Sequence, residues 1–398
     1  MNPNTRVKVT ERCAKRLSTG HLWVFDNEIK GIEGSYENGD IVCVIDGRRR
    51  FIGKGFINDH STITIRLITF SDEEVNRNFF KRKIENALSH HLALAWSLDD
   101  SFRVVSSEGD FLPGLIVDKY GDILSLQFTT LGMDRLKDQI VDILKEIFSP
   151  QAIIERSDIE VRTKEGLKPR KDLLYGSIEG GGILKQDGIS FNIDLLEGHK
   201  TGFYLDQREN RQVIKPFVAG KKVLDCFSYT GAFALYAAHY NAEKVVAVED
   251  SGKVISLLKE NIKLNNFENK IEVIKADAFK WLREIYKKGE SFGCVMLDPP
   301  SFVKSKGARE GAQRGYKDIN LLGLKLLYDG GYLITSSCSQ NISVSEFMNI
   351  LKDASVDAGC LLQIIEIRSQ SRDHPIVVSM PETHYLKFIV AKKISRCK

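Results

Sequence analysis

The predicted fold depends on the stretch Val223-Leu224-Asp225-Cys226-Phe227-Ser228-Tyr229-Thr230-Gly231-Ala232-Phe233. It has the pattern of a buried strand that ends in an acidic residue, followed by a short loop and the start of a helix. Gly231 is the one glycine of this loop, so the G-x-G-x-x-G fingerprint of dinucleotide-binding folds is missing. A loop of this kind suits a cationic amino-acid group better than a pyrophosphate.

Strand-like and helical segments alternate on the C-terminal side of this loop. Alternating β and α segments predict a parallel, doubly wound sheet whose ligands bind beyond the carboxyl ends of the strands. We therefore predict an α/β domain with a Rossmann-like sheet over residues 191–398. Its predicted strands lie at 223–225, 245–248, 271–274, 294–297 and 332–335, with a helix over 251–264 and a last strand over 381–390 that closes the sheet.

Two smaller regions precede this sheet. Residues 1–72 are predicted to form a small all-β domain, because turn residues separate short apolar runs. Residues 73–190 are predicted to form a middle α+β domain, which ends near Gly180-Gly181-Gly182. The predicted elements of the two regions are strands at 41–45, 51–56 and 62–68, a helix over 72–96, a hairpin over 114–126 and a helix over 134–148.

Composition sets broad limits on the class of protein. Of the 398 residues, 42% are hydrophobic and 28% are charged, an ordinary balance for globular proteins. No apolar run approaches the roughly 20 residues that span a bilayer, and residues 1–10 lack a signal-peptide core, so we expect a cytoplasmic protein. The seven cysteines show no C-x-x-C spacing, so neither a disulfide framework nor a metal site is expected. A net charge of +4 permits a nucleic-acid partner without demonstrating one.

Acidic residues follow four predicted strands of the α/β domain. They are Asp225, Glu249-Asp250-Ser251, Asp277-Ala278-Phe279 and Asp298-Pro299. A carboxylate after the second strand can accept hydrogen bonds from ribose hydroxyls, and the third group can hold adenine with a carboxylate and an aromatic edge. Each acid alone is more often a helix N-cap or a surface group. Four of them, one per strand and in this order, point to the nucleoside site of a methyltransferase.

Several motifs carry a resemblance to a known family. They are Arg16-Leu17-Ser18-Thr19-Gly20-His21-Leu22-Trp23-Val24-Phe25, Glu108-Gly109-Asp110-Phe111-Leu112-Pro113-Gly114-Leu115, Thr201-Gly202-Phe203-Tyr204-Leu205-Asp206-Gln207-Arg208, Asp298-Pro299-Pro300-Ser301-Phe302 and Ser336-Ser337-Cys338-Ser339. Over nearly its whole length, the chain resembles the bacterial large-subunit ribosomal RNA cytosine-5 methyltransferases that carry an N-terminal PUA domain. The resemblance implies a class I methyltransferase sheet, S-adenosylmethionine as cofactor and a PUA domain at residues 1–72. Its implied partner is ribosomal RNA or a ribosome assembly intermediate, and it leaves a homodimer open.

The strand ends and the resemblance together give a predicted set of cofactor-binding residues. The set consists of Tyr204, Arg208, Asp225, Phe227, Tyr229, Thr230, Gly231, Glu249, Asp250, Ser251, Asp277, Ala278, Phe279, Asp298 and Pro299.

Cys338 is the predicted catalytic nucleophile. Carbon 5 of a pyrimidine accepts a methyl group only after a thiolate has added to carbon 6 and moved electron density onto carbon 5. The resemblance places the family's nucleophile in a Ser-Cys-Ser motif, which here is Ser337-Cys338-Ser339. Asp298 is the second predicted catalytic residue, as a hydrogen-bond partner of the cytosine ring nitrogen and amino group. Activation of Cys338 requires an electropositive setting, which the sequence does not show.

The other cysteines near the predicted site have simpler interpretations. Cys294 lies inside an apolar strand and is expected to pack in the core, and Cys226 is expected to act sterically. Better-known cytosine-5 RNA methyltransferases carry a second cysteine beside their proline motif, but this chain has Asp298-Pro299-Pro300 there. One cysteine must therefore both attack the base and leave it.

Two alternatives stay open at this point. The Asp-Pro-Pro-x-aromatic motif also serves enzymes that methylate a guanine or adenine nitrogen and need no cysteine, so Cys338 discriminates between the two reactions. The chain would otherwise be a non-catalytic PUA-type RNA-binding protein with a vestigial nucleoside pocket. His374 is a candidate base that is equally read as a satisfied loop histidine.

Four residues of the N-terminal domain are predicted to bind RNA. Arg12, Lys15 and Arg16 are basic and lie close in sequence to Trp23, and such groups suit phosphate contact and base stacking. The alternative is a solvated charged face beside core aromatic residues.

Overall fold

The strand Lys222–Cys226, which contains the first residues of the stretch 223–233, lies in the interior of a seven-stranded sheet. The computed structural model describes residues 5–94, 101–178, 182–302 and 309–395. The chain divides into two units. The first comprises residues 1–184, 194–205 and 372–383, and the second comprises 185–193, 206–371 and 384–398. The predicted boundaries of three domains stay a prediction, and Gly180 and Gly181 of the predicted turn lie outside the described residues.

The first unit begins with a six-stranded sheet and one helix. The sheet prediction for this region is confirmed, but the helix was not expected from the sequence. It forms because the Thr10 hydroxyl caps it by accepting a hydrogen bond from the Cys13 amide, and because Cys13 and Leu17 bury one face. In chain order the elements are β1 (Arg6–Val9), α1 (Glu11–Ser18), β2 (Trp23–Val24), β3 (Ile29–Glu33), β4 (Ile41–Ile45), β5 (Phe51–Ile57) and β6 (Ile65–Thr69), in the sheet order β2-β6-β5-β4-β1-β3.

A five-stranded sheet with three helices follows in the same unit. The helix predicted over 72–96 begins later, because Asn76 caps it at the Phe79 amide, and residues 95–96 lie outside the described ranges. The helix predicted over 134–148 is divided at Leu136. The elements are α2 (Arg77–Ala93), β7 (Phe102–Ser106), β8 (Leu115–Tyr120), β9 (Ile123–Phe128), α3 (Leu131–Arg135), α4 (Lys137–Phe148), β10 (Ala152–Ser157) and β11 (Arg170–Gly176), in the order β11-β10-β9-β8-β7.

A buried ion pair holds the later segments of the first unit. Arg103 donates to both carboxylate oxygens of Asp118, at 2.7 and 2.8 Å. The Thr201 hydroxyl also donates to Asp118, and the Arg103 amide donates to Asp373 at 2.9 Å. The hydrogen bonds of Thr201 and Asp373 therefore link residues 194–205 and 372–383 to strands β7 and β8 of the same unit.

The second unit is the predicted α/β sheet. Its strands follow the order β16-β15-β14-β17-β18-β20-β19, and all neighbours are parallel except β20, which is antiparallel to both β18 and β19. The elements are β12 (Gly182–Gln186), which begins in the first unit, β13 (Ile189–Ile193), α5 (Arg208–Val213), α6 (Lys215–Val218), β14 (Lys222–Cys226), α7 (Ala232–His239), β15 (Lys244–Glu249), α8 (Gly252–Leu264), β16 (Ile271–Lys275), α9 (Ala278–Lys287), β17 (Phe292–Leu297), α10 (Arg309–Leu326), β18 (Leu327–Ser337), α11 (Val344–Asp357), β19 (Cys360–Arg368) and β20 (Lys387–Ser395).

The last strand differs from the prediction. It runs over Lys387–Ser395 and not over 381–390. Pro381–Thr383 forms a single helical turn, in which the Thr383 hydroxyl donates to the Met380 carbonyl at 2.6 Å. The turn belongs to the first unit, where the Met380 sulfur accepts from the Leu22 amide at 3.2 Å. Within the described ranges, no helix combines the length and the apolar character needed to cross a membrane.

Candidate active site

The predicted site residues of the second unit gather at one edge of its sheet. β14, β15, β16 and β17 are parallel, so their carboxyl ends meet at this edge. The pairing of Cys226 with Leu297, and of Leu297 with Thr335, continues the alignment to β18. The loops that follow these strands therefore share one rim, as the sequence predicts.

The loop after β14 is held in an unusual backbone conformation. Phe227 and Tyr229 have positive φ angles of 62° and 50°, and Gly231 has a φ of 87° at the cap of α7. A Cβ atom at Gly231 would lie 2.2 Å from the Leu258 Cδ1 atom. Any other residue at this position would be strained by the positive φ and would displace the Leu258 side chain.

Asp225 supports this loop from below. Its carboxylate is 1% exposed and accepts a hydrogen bond from the Ser228 hydroxyl at 2.9 Å. Burial raises the pKa of the carboxyl to about 7. Asp225 therefore contributes to the predicted cofactor site mainly by fixing this loop.

Glu249 connects the loop to the end of β15. Its carboxylate accepts from the Tyr229 amide at 3.0 Å, from the Asp250 amide at 3.0 Å and from the Ser251 amide at 3.1 Å. Burial raises the pKa of this carboxyl. The arrangement orients a partly buried carboxylate at the strand position that the sequence assigns to ribose.

Asp277 caps a helix and lies beside an aromatic cluster. Its side chain accepts from the Lys280 amide at 2.9 Å at the start of α9, which is the N-cap alternative weighed above. The Phe279 ring lies 6.4 Å from the Phe227 ring and 6.0 Å from the Phe302 ring, centroid to centroid. A cluster of aromatic rings, packed edge-on and tilted, therefore lies in the loops after β14, β16 and β17.

Asp298 is held by a glutamine that the sequence analysis did not single out. The Gln207 side-chain amide donates to both oxygens of Asp298 at 3.2 Å, and lies 3.2 Å from the Ser336 hydroxyl. Asn210 donates to the Gln207 carbonyl oxygen at 2.7 Å, which fixes the orientation of the amide. The sequence signal that could have identified Gln207 was its position in the motif 201–208, next to Arg208.

Cys338 follows β18 directly and is half-buried. Asp298 follows the neighbouring strand β17, so the two predicted catalytic residues lie after adjacent parallel strands. Cys226 and Cys294 are fully buried, and burial raises the pKa of both thiols, as expected for packing residues.

Lys387 is a second residue that sequence reasoning missed. It is 2% exposed and pairs with Ser337 across the antiparallel strands β18 and β20. Its ammonium donates to the carbonyl oxygens of Ser339 and Tyr385. Burial lowers the pKa of the amine to about 8. The sequence did not reveal this proximity, because Lys387 lies far from Cys338 in the chain and the register of the last strand was unknown.

Tyr204, Arg208 and His374 are candidate residues that lie outside the loops after the parallel strands. Tyr204 belongs to the first unit, where its hydroxyl lies 3.1 Å from the His199 ring, and its place in the cofactor site stays a prediction. Arg208 is buried at the start of α5 in the second unit. His374 is buried in the first unit beside Asp373 at 2.8 Å, in keeping with a satisfied histidine.

A basic groove lies on the N-terminal part of the first unit. It has a volume of about 1000 Å³ and is bordered by Lys15, Arg48, Arg50, Phe51 and Phe70, together with Glu11 and Asp46 and seven uncharged neighbours from α1 and β4–β5. Arg50 pairs with Asp46 at 2.7 Å, so Lys15 and Arg48 are the cations that the groove offers beside Phe51 and Phe70, an arrangement that suits nucleic acid.

The predicted RNA-binding residues divide into two groups. Arg12 and Lys15 are exposed on α1. Arg16 forms an ion pair with Glu28 at 2.6 Å and donates to the Trp23 carbonyl at 2.9 Å, while the Trp23 indole donates to Glu108 at 3.0 Å. Arg16 and Trp23 therefore make contacts within the chain, and Lys15 is the predicted residue that borders the groove.

Comparison with known proteins reveals close relatives. Two relatives are named ribosomal RNA large subunit methyltransferase I. The protein from Pseudoalteromonas translucida is 40% identical over 95% of this chain and 96% of its own length. The protein from Shewanella amazonensis is 40% identical over 97% of this chain and 99% of its own length.

The chain belongs to the family of these methyltransferases.

Domain models and solved structures agree with this family. Residues 7–70 match a PUA-like domain, and residues 208–313 match the model described as conserved hypothetical protein 95. A solved structure from Streptococcus mutans, described as an S-adenosylmethionine-dependent methyltransferase, has a TM-score of 0.83 at 22% identity and covers 97% of this chain and 99% of that one. A methyltransferase structure with bound S-adenosylhomocysteine has a TM-score of 0.84 at 21% identity and covers 97% and 99%. At these identities the likeness to the two structures shows the fold alone.

The raised pKa of Asp225 predicts a pH dependence of stability. The pKa of this carboxyl is about 7 in the folded chain against an ordinary 3.8, so the folded state holds more protons than the unfolded state between these values. The contribution of Asp225 to the free energy of unfolding must therefore fall as pH rises through this window. In urea denaturation, the stability of Asp225→Asn relative to the wild type should increase from pH 4 to pH 7.

Asp329 is the matched control for this measurement. It is an exposed aspartate of the same unit whose pKa is lowered, chiefly by a hydrogen bond from the Ser395 amide. Because this pKa lies below the ordinary 3.8, the contribution of Asp329 is lost only as the pH falls below that value, so the relative stability of Asp329→Asn should change little while that of Asp225→Asn rises. Equal pH profiles for Asp225→Asn and the wild type would contradict the prediction.

Proposed function

We propose that this methyltransferase transfers a methyl group from S-adenosylmethionine to carbon 5 of a cytosine in large-subunit ribosomal RNA, through a covalent adduct of Cys338. Family membership supports the coarser part of the proposal, a methyltransferase of large-subunit ribosomal RNA. The observation that carries the finer part is the arrangement of Cys338 and Asp298 after adjacent parallel strands, with Gln207 hydrogen-bonded to Asp298 and Ser336.

The residues at the rim suit S-adenosylmethionine. Glu249 presents an oriented carboxylate for ribose hydroxyls, and the Phe227, Phe279 and Phe302 cluster offers apolar surface for adenine. The Thr230 hydroxyl oxygen is buried with no hydrogen-bond partner among the described residues, which suits a polar ligand group. When bound, S-adenosylmethionine supplies an electrophilic methyl group.

Cys338 and Asp298 divide the chemistry at the base. The Cys338 thiolate attacks carbon 6, and the electron pair of the double bond between carbons 5 and 6 moves to carbon 5, which then takes the methyl group. A proton acceptor then removes the proton from carbon 5, which restores the double bond between carbons 5 and 6 and expels the Cys338 thiolate. Asp298, fixed by Gln207, accepts a hydrogen bond from the cytosine amino group and orients the ring.

Glu249 is expected to contribute to cofactor affinity. Glu249→Ala removes a carboxylate that accepts hydrogen bonds from the ligand, so it should weaken S-adenosylmethionine binding by about 1–3 kcal/mol in calorimetry. Glu272→Ala is the control, because Glu272 lies on β16 and its carboxylate pairs with Lys244. Unchanged affinity in Glu249→Ala would exclude this role and direct attention to Asp250.

Cys338 is expected to be essential for methylation and dispensable for cofactor binding. Cys338→Ala should abolish transfer to ribosomal RNA, while S-adenosylmethionine affinity stays nearly unchanged, because the thiol acts on the base. RNA with 5-fluorocytidine at the target should trap the wild-type enzyme in a cofactor-dependent adduct, since fluorine cannot leave as a proton does. The adduct should be absent in Cys338→Ala and present in the control Cys43→Ala, which removes another half-buried thiol.

Mass spectrometry of the modified nucleoside completes this test. Full activity of Cys338→Ala, or a methyl group on a guanine or adenine nitrogen, would contradict the cytosine-5 reaction. The Asp298-centred nitrogen methyltransferase would then replace it. Absence of any methyl transfer by the wild type, with RNA binding retained, would favour the non-catalytic RNA-binding alternative.

The groove of the PUA-like domain is expected to bind RNA phosphates. The double variant Lys15→Ala/Arg48→Ala should weaken ribosomal RNA binding and reduce the slope of log affinity against log salt by about two, because each lost phosphate contact removes about 0.9. Arg77→Ala/Lys145→Ala is the control, since these exposed cations pair with Glu146 and Asp142 outside the groove. Equal salt slopes in both double variants would contradict an RNA role for the groove.

A further inference from the structure

A buried lysine faces the turn that carries the proposed nucleophile. Lys387 begins β20, and its Cα lies opposite that of Ser337, the residue before Cys338. Its ammonium donates to the carbonyl of Ser339, the residue after Cys338, and to the carbonyl of Tyr385 at 2.7 Å. The strand register and the hydrogen bonds therefore fix a cation against both flanks of Cys338.

We propose that Lys387 is a positioning residue whose fixed positive charge stabilises the Cys338 thiolate and holds its turn for attack on the base. The inference rests on the proposed function, in which Cys338 is the nucleophile. A nucleophilic cysteine needs an electropositive, partly exposed setting. Cys338 is half-buried, and Lys387 supplies the charge.

The electrostatic interaction between the two side chains is reciprocal. Burial lowers the pKa of Lys387 to about 8, and the negative charge of a Cys338 thiolate raises it. At neutral pH the amine is therefore mostly protonated, and the same attraction favours the thiolate over the thiol. Above about pH 8 the amine loses its proton and this stabilisation ends.

Proton transfer in this step is simple. The sulfur–hydrogen bond of Cys338 breaks, its proton goes to solvent and its electron pair stays on sulfur. Lys387 keeps its own proton, so it acts through charge and not as a base. No oxidant, reductant or further reactant is required.

Among the described residues, the other titratable groups that interact with Lys387 or Cys338 carry no competing positive charge at neutral pH. Glu346 on α11 is negative and favours the protonated amine of Lys387. The pKa of His384 is lowered by burial and by Lys387, so this imidazole is neutral. Burial raises the pKa of Tyr316 to about 12, and this neutral phenol interacts electrostatically with Cys338 and Asp298.

Lys393 provides a matched control on the same strand. It is a half-buried lysine of β20 whose ammonium donates to the carbonyls of Leu324 and Leu327. Burial lowers its pKa as well, but the groups that act on it electrostatically are Cys360 and Asp329. A Lys393→Met variant thus removes the same kind of group without touching the Cys338 turn.

Alkylation of Cys338 tests the proposal without RNA or a methyl donor. The full chain is treated with iodoacetamide between about pH 5 and pH 9, and the Cys338 peptide is quantified by mass spectrometry. The wild-type midpoint should lie below the 8.5 or so of a free cysteine. Lys387→Met should raise it by about one unit, Lys387→Arg should restore it, and Lys393→Met should leave it unchanged.

The methylation rate should follow the thiolate fraction. At pH 7, Lys387→Met should lower kcat about tenfold for a one-unit shift, with recovery as the pH rises, while KM for RNA stays unchanged. Rate loss that is equal at every pH would indicate a merely structural role and overturn the proposal. So would equal alkylation midpoints in Lys387→Met and the wild type.

The wild type alone keeps the proposal testable if Lys387→Met does not fold. Cys43 is an internal reference, because it is half-buried and burial raises the pKa of its thiol. A Cys338 midpoint as high as that of Cys43 would overturn the proposal. Full methylation by Cys338→Ala would refute the proposed function. The alkylation midpoints would still test separately whether Lys387 stabilises the Cys338 thiolate.

Discussion

The parallel alignment of β14, β17 and β18 is the constraint on which the proposed chemistry depends. Because Leu297 pairs with both Cys226 and Thr335, β14 and β17 end at the same level, and β18 extends two residues further, to Ser337. The cofactor loop, Asp298 and Cys338 are brought together by this register and not by nearness in sequence. A shift of one residue in any of these pairings would turn each side chain to the opposite face of the sheet.

Hydrogen bonds of side chains, with backbone amides and with other side chains, then set the details of the rim. Glu249 accepts three amide hydrogen bonds, Asp225 holds Ser228, and Gln207 holds Asp298. Each of these acids is oriented before any ligand arrives. Such preorganisation avoids the reorganisation that flexible side chains would need at the moment of reaction.

Local patterns made much of this predictable, while long-range register did not. The alternation of apolar and helical segments was sufficient for the parallel sheet and for the order of the acids at its edge. Lys387 and Gln207 could not be found in this way, because their roles come from pairing with Ser337 and from contact with Asp298, far away in sequence. The helix α1 was missed because it has only eight residues and lies between strands. The ion pair between Arg16 and Glu28 was also not predictable from the sequence.

The position of β20 in the sheet also governs how the second unit can form during synthesis. β20 lies between β18 and β19 in the sheet, yet it is synthesised after both. It also follows residues 372–383, which belong to the first unit. A nascent chain that has reached residue 386 has no partner strand for β19 and no lysine opposite Ser337. The turn after β18 therefore lacks the hydrogen bond from Lys387 to Ser339 until β20 has paired with β18 and β19. If Cys338 is the nucleophile, its final surroundings form only in the last step of sheet assembly.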